Sequence, residues 1–381
     1  MIQWTFKTRC IQPIGLDIGH DSIKMIQLET DMAKVRVLAA EKVRIPAQIN
    51  SDVDSRRAFV VAEVGRMLSR GSFHGRNVVS CLPSEKLRIT SLRLAESDTD
   101  EIERVLRKEV RQRFGLDPDK DSMDYLVAGS VRQGEDVKSE LILFAVDNET
   151  ITNHIKLLED AGLRPVAIDT MPCALFRSFE RSLRRQEDRE RTLVFVDIGS
   201  RTTTVVFGDR GEISFIKQIP IGGEKLNRET ASRLGVEIDE VERLREMLRR
   251  DKSDSQLDPS TRQVIVDTIS SIAEGLAKEV SLCLRYYTVT FRGTRVEQAL
   301  FTGGEAYENI LMNVLKRQLP VDVATYQPMR GFDLTGEGAR INLNNDRRGL
   351  LCEWAVAVGL GLKLQRRTTA DDQQVVSHEG H

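Results

Sequence analysis

The sequence lacks both common glycine-rich phosphate cradles. It contains no GxxxxGK loop followed by serine or threonine, and no GxGxxG turn, so any phosphate it holds must be held another way. Cysteine is sparse: five residues, at 10, 81, 173, 283 and 352, with no CxxC pair. An odd, scattered set argues against a disulfide framework and fits a reducing compartment. Histidines 20, 74, 154, 378 and 381 have no zinc-ligand spacing. The longest near-apolar stretch, 354–362, is far short of a membrane span. The opening MIQWTFKTRC has no apolar signal-peptide core. The closing RRTTADDQQVVSHEGH lacks an amphipathic face, which speaks against direct membrane insertion. A formal charge of -2 gives no electrostatic case for nucleic acid. The expectation is a cytoplasmic protein whose membrane role, if any, runs through a partner.

What is present suits a globular chain: 381 residues, 40% of them apolar, enough for two domains with cores of their own. In PIGLDIGHDSIKMIQLE an apolar strand at 14–18 meets a glycine turn at Gly19, and a second strand follows from Ser22. A third strand is expected at 35–43. Helical spacing then begins, with Asp52 as cap and Gly71 past its end. Residues 193–219 repeat this opening: LVFVDIG, then TTTVVFG, then ISFIKQI. The tripeptide Asp-Ile-Gly stands at 17–19 and again at 197–199, each time ending an apolar strand and opening a turn. Two copies, each followed by two further strands, point to an internal duplication.

Between the copies, 78–168 reads as strands, a helix over 98–114 capped by Ser97 or Asp98 and ended at Gly115, two further strands, a helix over 150–161 and a last strand. This has the shape of a small α+β insertion. The charged run RSLRRQEDRERT reads as a solvated helix end or linker. After 222 the pattern turns helical, interrupted by the polar loop DKSDSQLDPS. ALFTGGEAYENILMNVLKRQL then gives strand, double glycine and helix. The chain closes on a helix near GLLCEWAVAVGLGLKL and a polar tail, 366–381, expected to be disordered.

A tight turn between two strands can aim successive backbone N–H groups at an anion, and Gly19 and Gly199 permit that approach. Asp17 and Asp197 would then face each other across a cleft. Carboxylates there, directly or through water, suit Mg2+ beside phosphate. Lys24 is placed to reach a phosphate as a point charge. IPIGGEKL and FTGGEAYENI each put a helix start after a double glycine, near negative charge. Gly303–Gly304 permits a flat base to lie against backbone. Glu242 and Arg245, three apart, share a helix face.

DIGHDSIK, DIGSRTTT, GGE, VERLR and TGGEAYEN resemble the two phosphate motifs and the adenosine motif of the actin, chaperone and sugar-kinase superfamily. The CLPSE run, LEDAGLRPVAIDTMPCALFRSF, IPIGGEKL and WAVAVGLGLKL extend the likeness over nearly the whole chain to the PilM family of pilus-assembly proteins, related to FtsA. The resemblance implies an α/β, actin-like (duplicated RNase H-like) two-domain fold with an inserted small α+β subdomain. Its first domain would be 1–77 with 164–191, its insertion 78–163, and its second domain 192–365, with a helical subdomain about 223–292.

It further implies ATP and Mg2+ as ligands. Asp17 and Asp197 would organise the metal through water. Gly19, His20, Ser22, Lys24, Gly199, Ser200 and Thr202 would hold phosphates, and Gly222, Gly223, Glu242, Arg245, Gly303 and Gly304 would frame ribose and adenine. The implied partner is the cytoplasmic N-terminal tail of a PilN-like inner-membrane protein, bound beside the insertion. Pilus motor ATPases and self-association are further implied contacts. Three residues depart from the pattern: His20 replaces a small hydroxyl residue, Arg245 a lysine, and Met171 the catalytic carboxylate of the chaperones, with Asp169 nearby. Without a base to orient water, hydrolysis is expected to be slow. The alternatives are an actin-fold small-molecule kinase, which needs an acid near the γ-phosphate, and the cytoplasmic module of a type II secretion system, which usually carries a membrane span.

Overall fold

The computed structural model describes residues 9–31, 34–50, 52–95, 99–133, 136–180, 191–250, 257–291, 295–335 and 351–364. The expected tail 366–381, the cap candidates Ser97 and Asp98, and most of the charged run before Thr192 lie outside them.

The opening segment folds as expected. Strands β1 (Cys10–Ile11), β2 (Ile14–Ile18), β3 (Ser22–Thr30) and β4 (Val35–Arg44) lead to helix α1 (Val53–Arg70). Strand alternation splits β2 between two layers: Ile14 and Leu16 enter the core beneath α1, while Gly15 lies against the last helix among the described residues. Helix α1 starts where Asp52 accepts from the N–H groups of Asp54 and Ser55, and it buries Val60, Val64, Met67 and Leu68.

Next come β5 (Asn77–Cys81), β6 (Arg88–Ala95), α2 (Thr99–Glu109), β7 (Ser122–Gln133), β8 (Asp136–Val146), α3 (Asn148–Asp160), β9 (Arg164–Asp169) and α4 (Met171–Glu180). The chain continues through β10 (Leu193–Ile198), β11 (Thr203–Asp209), β12 (Glu212–Ile219), α5 (Gly223–Leu234), α6 (Ile238–Arg250), α7 (Pro259–Thr290), β13 (Gln298–Thr302), α8 (Asn309–Gln318), β14 (Asp322–Thr325) and α9 (Ala355–Gly361).

The duplication is visible in the sheets. The first runs β4-β3-β2-β5-β9, with β1 pairing the end of β3; the second runs β12-β11-β10-β13-β14. In both, the first three strands of the repeat form an antiparallel meander, and two later strands add in parallel beside its first member. Parallel addition needs a crossover. In the second copy α5, α6 and α7 fill that link; in the first copy it holds α1 before β5 and everything from β6 to α3 before β9.

One expectation changes here. The sequence pattern puts the strand at 78–82 in the insertion, but β5 pairs with β2 and β9 in the first sheet. Helix α3 also belongs with that core, since Leu157 and Leu158 pack with Val60 and Val64. A short apolar strand does not declare in sequence which sheet it joins. The separate unit is therefore the antiparallel sheet β6-β8-β7 with α2 on one face. Its other face (Ile142, Phe144, Val146) shares a core with Phe176 and Phe179 of α4 and with Phe195, Val206 and Ile216 of the second sheet. A polar tie adds to this contact: Arg93 donates to the buried Glu140 and to Thr290 at the end of α7.

Helix α9 lies closely on the first sheet and on α4. A Cβ placed on Gly359 would sit 1.7 Å from the Ala174 carbonyl oxygen, and one on Gly15 would sit 2.3 Å from that of Ala357. Overpacking against backbone cannot be relieved by a rotamer change. Gly359→Ala should therefore lower unfolding free energy by roughly 2 kcal/mol or more in urea titrations. Gly65→Ala on α1, where an added Cβ meets nothing within 4 Å, should raise it by about 0.5–1 kcal/mol. Equal effects at the two sites would contradict the packing described.

Candidate functional site

The two Asp-Ile-Gly segments form matching hairpin tips. In the first, the Gly19 N–H donates to the Ser22 carbonyl at 3.0 Å; in the second, the Gly199 N–H donates to that of Thr202, also at 3.0 Å. A Cβ on either glycine would stand 3.1 Å from the same carbonyl. The duplication therefore extends to the geometry of the turn.

Both tips open into one cavity of about 1400 Å³ between the two sheets. It is lined by every residue the sequence nominated except Gly222 and Gly223. Those two brace the second tip instead. The Gly223 N–H donates to the Gly199 carbonyl and the Glu224 N–H to that of Ser200. A Cβ on Gly222 would strike the Ser200 carbonyl oxygen at 2.4 Å. Thus the start of α5 is aimed at the turn's own carbonyls rather than at the cavity.

The acids behave as a strained pair. Burial, and then the nearby charge of Asp17, push the Asp197 carboxyl up to about 7, partly offset by Lys24. Lys24, expected at a phosphate, is committed to Asp17, with Nζ 3.0 Å from Oδ2. Burial alone would lower its pKa, but the charges of Asp17, Glu353 and Asp197 raise it overall. One ammonium thus stands between two carboxylates. No group of three or more His, Cys, Asp or Glu residues able to hold a metal occurs among the described residues. A hydrated divalent cation fits nevertheless, because Mg2+ takes few protein ligands and completes its shell with water and phosphate.

Around this pair the other nominated residues take mixed roles. His20 Nδ1 lies 2.8 Å from the Asp21 carboxylate and 3.4 Å from Ser200 Oγ, so it joins the two tips. Gly303 has φ +93°, and a Cβ there would lie 2.6 Å from Asp197 Oδ1. Gly304 faces open space.

Arg245 and Glu242 line the cavity and also carry bonds within the protein. Arg245 is buried in an ion quartet with Arg249, Glu305 and Glu308, and Glu242 pairs with Arg44 of β4 and accepts from Asn227 at 3.1 Å. Burial of Glu305 is more than offset by the two guanidinium groups, which hold its carboxyl below the ordinary range. A guanidinium removed from water demands such partners, and they come from a turn 60 residues away.

Asp169 is not at the cavity; it pairs with Arg177 at 2.9 Å and Lys363 at 3.2 Å, while Met171 lines the wall. Sequence reasoning missed Arg44, Arg56, Asn227 and Glu353, all of which line the cavity. Glu353 alone carried a signal, as an acid inside the otherwise apolar LLCEWAVAV.

The family model described as type IV pilus assembly protein PilM matches residues 15–365. The chain belongs to the PilM family. Among solved structures, a PilM-PilN type IV pilus biogenesis complex aligns with TM-score 0.73 at 20% identity, covering 92% of this chain and 98% of that one. The ethanolamine utilization protein EutJ from Carboxydothermus hydrogenoformans aligns with TM-score 0.52 at 15% identity, covering 92% and 89%. These likenesses show the actin-like fold. The PilM assignment carries a role in type IV pilus assembly. No helix among the described residues is long and apolar enough to cross a membrane.

The Asp197 shift has a stability consequence. A carboxyl raised from 3.8 to about 7 binds its proton in the folded state over that window but not in the unfolded state. Its stabilising contribution is present below pH 4 and is lost as pH rises through 7. In chelator, Asp197→Asn should match the native protein's stability near pH 4 and exceed it by on the order of a few kcal/mol at pH 8. Denaturation midpoints across this range test it; a pH-independent difference would refute the assignment.

Proposed function

We propose that this PilM-family protein is an ATP-binding cytoplasmic adaptor that ties a PilN-like inner-membrane protein to the motors of type IV pilus assembly. The observation that carries the reading is the convergence of two equivalent acidic hairpin tips on one cavity. Burial and mutual repulsion there leave Asp197 in want of a cation. Bound Mg-ATP would supply that charge and a triphosphate tail for the two turns. Asp17 and Asp197 hold the metal through its waters, Lys24 balances Asp17, and Ser22, Ser200 and Thr202 face the phosphates. Gly304, open toward the cavity, leaves room for the flat base, while Arg245 and Glu242 fix the wall behind it. With Asp169 turned into a salt bridge and Met171 in its place at the wall, no acid from β9 orients water. Hydrolysis is accordingly slow and binding the main event.

One arm of the cavity runs between α1, α3 and the segment entering β6, with Lys86 and Asn153 exposed in it. It adjoins the separate β6-β8-β7 unit. The cytoplasmic tail of the PilN-like partner docks there, in keeping with the PilM-PilN assembly of the aligned structure. On this reading the protein sits at the inner membrane through its partner, and self-association is compatible with it.

Asp17→Ala and Asp197→Ala should each weaken Mg-ATP binding by about a hundredfold or more in calorimetry, with circular dichroism unchanged. Native affinity in both variants would remove the cleft assignment. Lys86→Glu and Asn153→Arg should weaken a fluorescent PilN-tail peptide by about tenfold in polarisation assays while leaving ATP affinity intact. Unaltered peptide binding would move the partner surface elsewhere.

A further inference from the structure

The two hairpin tips are alike in backbone but are held by different devices. In the second, the carbonyls of Gly199 and Ser200 accept from the first N–H groups of α5, at 3.1 and 2.7 Å. The first tip has no such helix behind it. Its equivalent carbonyls, Gly19 and His20, accept instead from one side chain: Arg56 of α1 donates from Nη2 to Gly19 at 2.8 Å and from Nη1 to His20 at 3.1 Å. Nη1 also donates to the Asn50 side chain, which anchors the guanidinium from behind. The Asp21 carbonyl is taken by the Ile45 N–H at 2.8 Å. Every carbonyl of the tip is thus tied back.

The N–H groups show the complement. Among the described residues, those of His20 and Asp21 in the first tip, and of Ser200 and Arg201 in the second, donate to no backbone or side-chain acceptor. Successive N–H groups of this kind form an anion-binding concavity, but only if the intervening carbonyl dipoles point away.

We propose that Arg56 is the positioning residue of the first phosphate turn. Its planar fork replaces a helix N-terminus, holding two adjacent carbonyls off the cavity so that the His20 and Asp21 N–H groups face the phosphate tail. A guanidinium suits this task because its donors are fixed in one plane, whereas an ammonium is a point charge that cannot span both carbonyls. The inference rests on the phosphate-binding reading of the cleft, and deepens it.

The test compares three ligands on the full chain: Mg-ATP, Mg-pyrophosphate and adenosine. Arg56→Ala should weaken ATP and pyrophosphate by about tenfold or more, the loss expected for hydrogen bonds to a charged group, and should leave adenosine within about twofold. Arg56→Lys keeps the charge and the stem, guarding against a folding failure, and should lose phosphate-tail affinity in the same sense. An equal loss of adenosine and ATP would reduce Arg56 to a general structural role, and full affinity in Arg56→Lys would replace the fork with simple charge attraction; either result overturns the proposal. If the native protein binds pyrophosphate with the predicted Arg56 dependence but not ATP, the adaptor's ATP reading fails and the positioning role stands. If it binds neither, both fall.

Discussion

The site depends on the burial of charge. Two aspartates at equivalent points of a duplicated fold are brought into one cavity with a single buried ammonium between them. Lys24 is within 3.0 Å of Asp17 and leaves Asp197 to carry the cost of burial, which drives its carboxyl to about 7. Such an arrangement persists only because the surrounding fold over-determines it. Gly303 approaches Asp197 too closely for any side chain, Gly222 packs against the Ser200 carbonyl, and the Asp17 strand is pressed onto α9 at Gly15. Removal of water on these sides leaves the cavity as the place from which compensating charge can come.

Duplication supplies the symmetry of the site, and the links between β-strands supply its asymmetry. In the second half the helical crossover places α5 behind the hairpin tip, and α6 is fastened to the Gly303–Gly304 turn by the Arg245, Arg249, Glu305 and Glu308 quartet. In the first half the crossover space holds α1 and, further on, the β6-β8-β7 unit. That unit is not a free appendage. Its inner face shares one core with α4 and with the second sheet, and Arg93, Glu140, Tyr286 and Thr290 add a polar seam.

Much of the fold was legible locally. Apolar strands bounded by glycine, the Asp52 cap, and the double occurrence of Asp-Ile-Gly suffice to locate the two meanders and the cavity's acids. Elements whose identity depends on distant neighbours were less legible. The strand at 77–81 looks the same in sequence whether it extends the insertion or completes the first sheet. Arg245 offers a cation on a helix face, but Glu305 and Glu308, which neutralise it, come from another element. Arg56 sits in an unremarkable RRAF stretch with no sign of the carbonyls it meets.

The sequence by itself determined the duplicated α/β architecture, the acidic hairpin tips and the family. The architecture and the tips are written in short-range pattern, continuous apolar strands closed by turn glycines with a carboxylate near each strand's end, and the family is written in the resemblance of motifs along the whole chain. Tertiary structure alone decided which partner each buried charge takes. It spent Lys24 on Asp17 and Arg245 on a buried quartet, turned Asp169 toward Arg177 and Lys363, and set Arg56 behind the first tip. The reason is that a buried charge is assigned by the partners surrounding it in space, and those partners come from elements that the sequence keeps far apart.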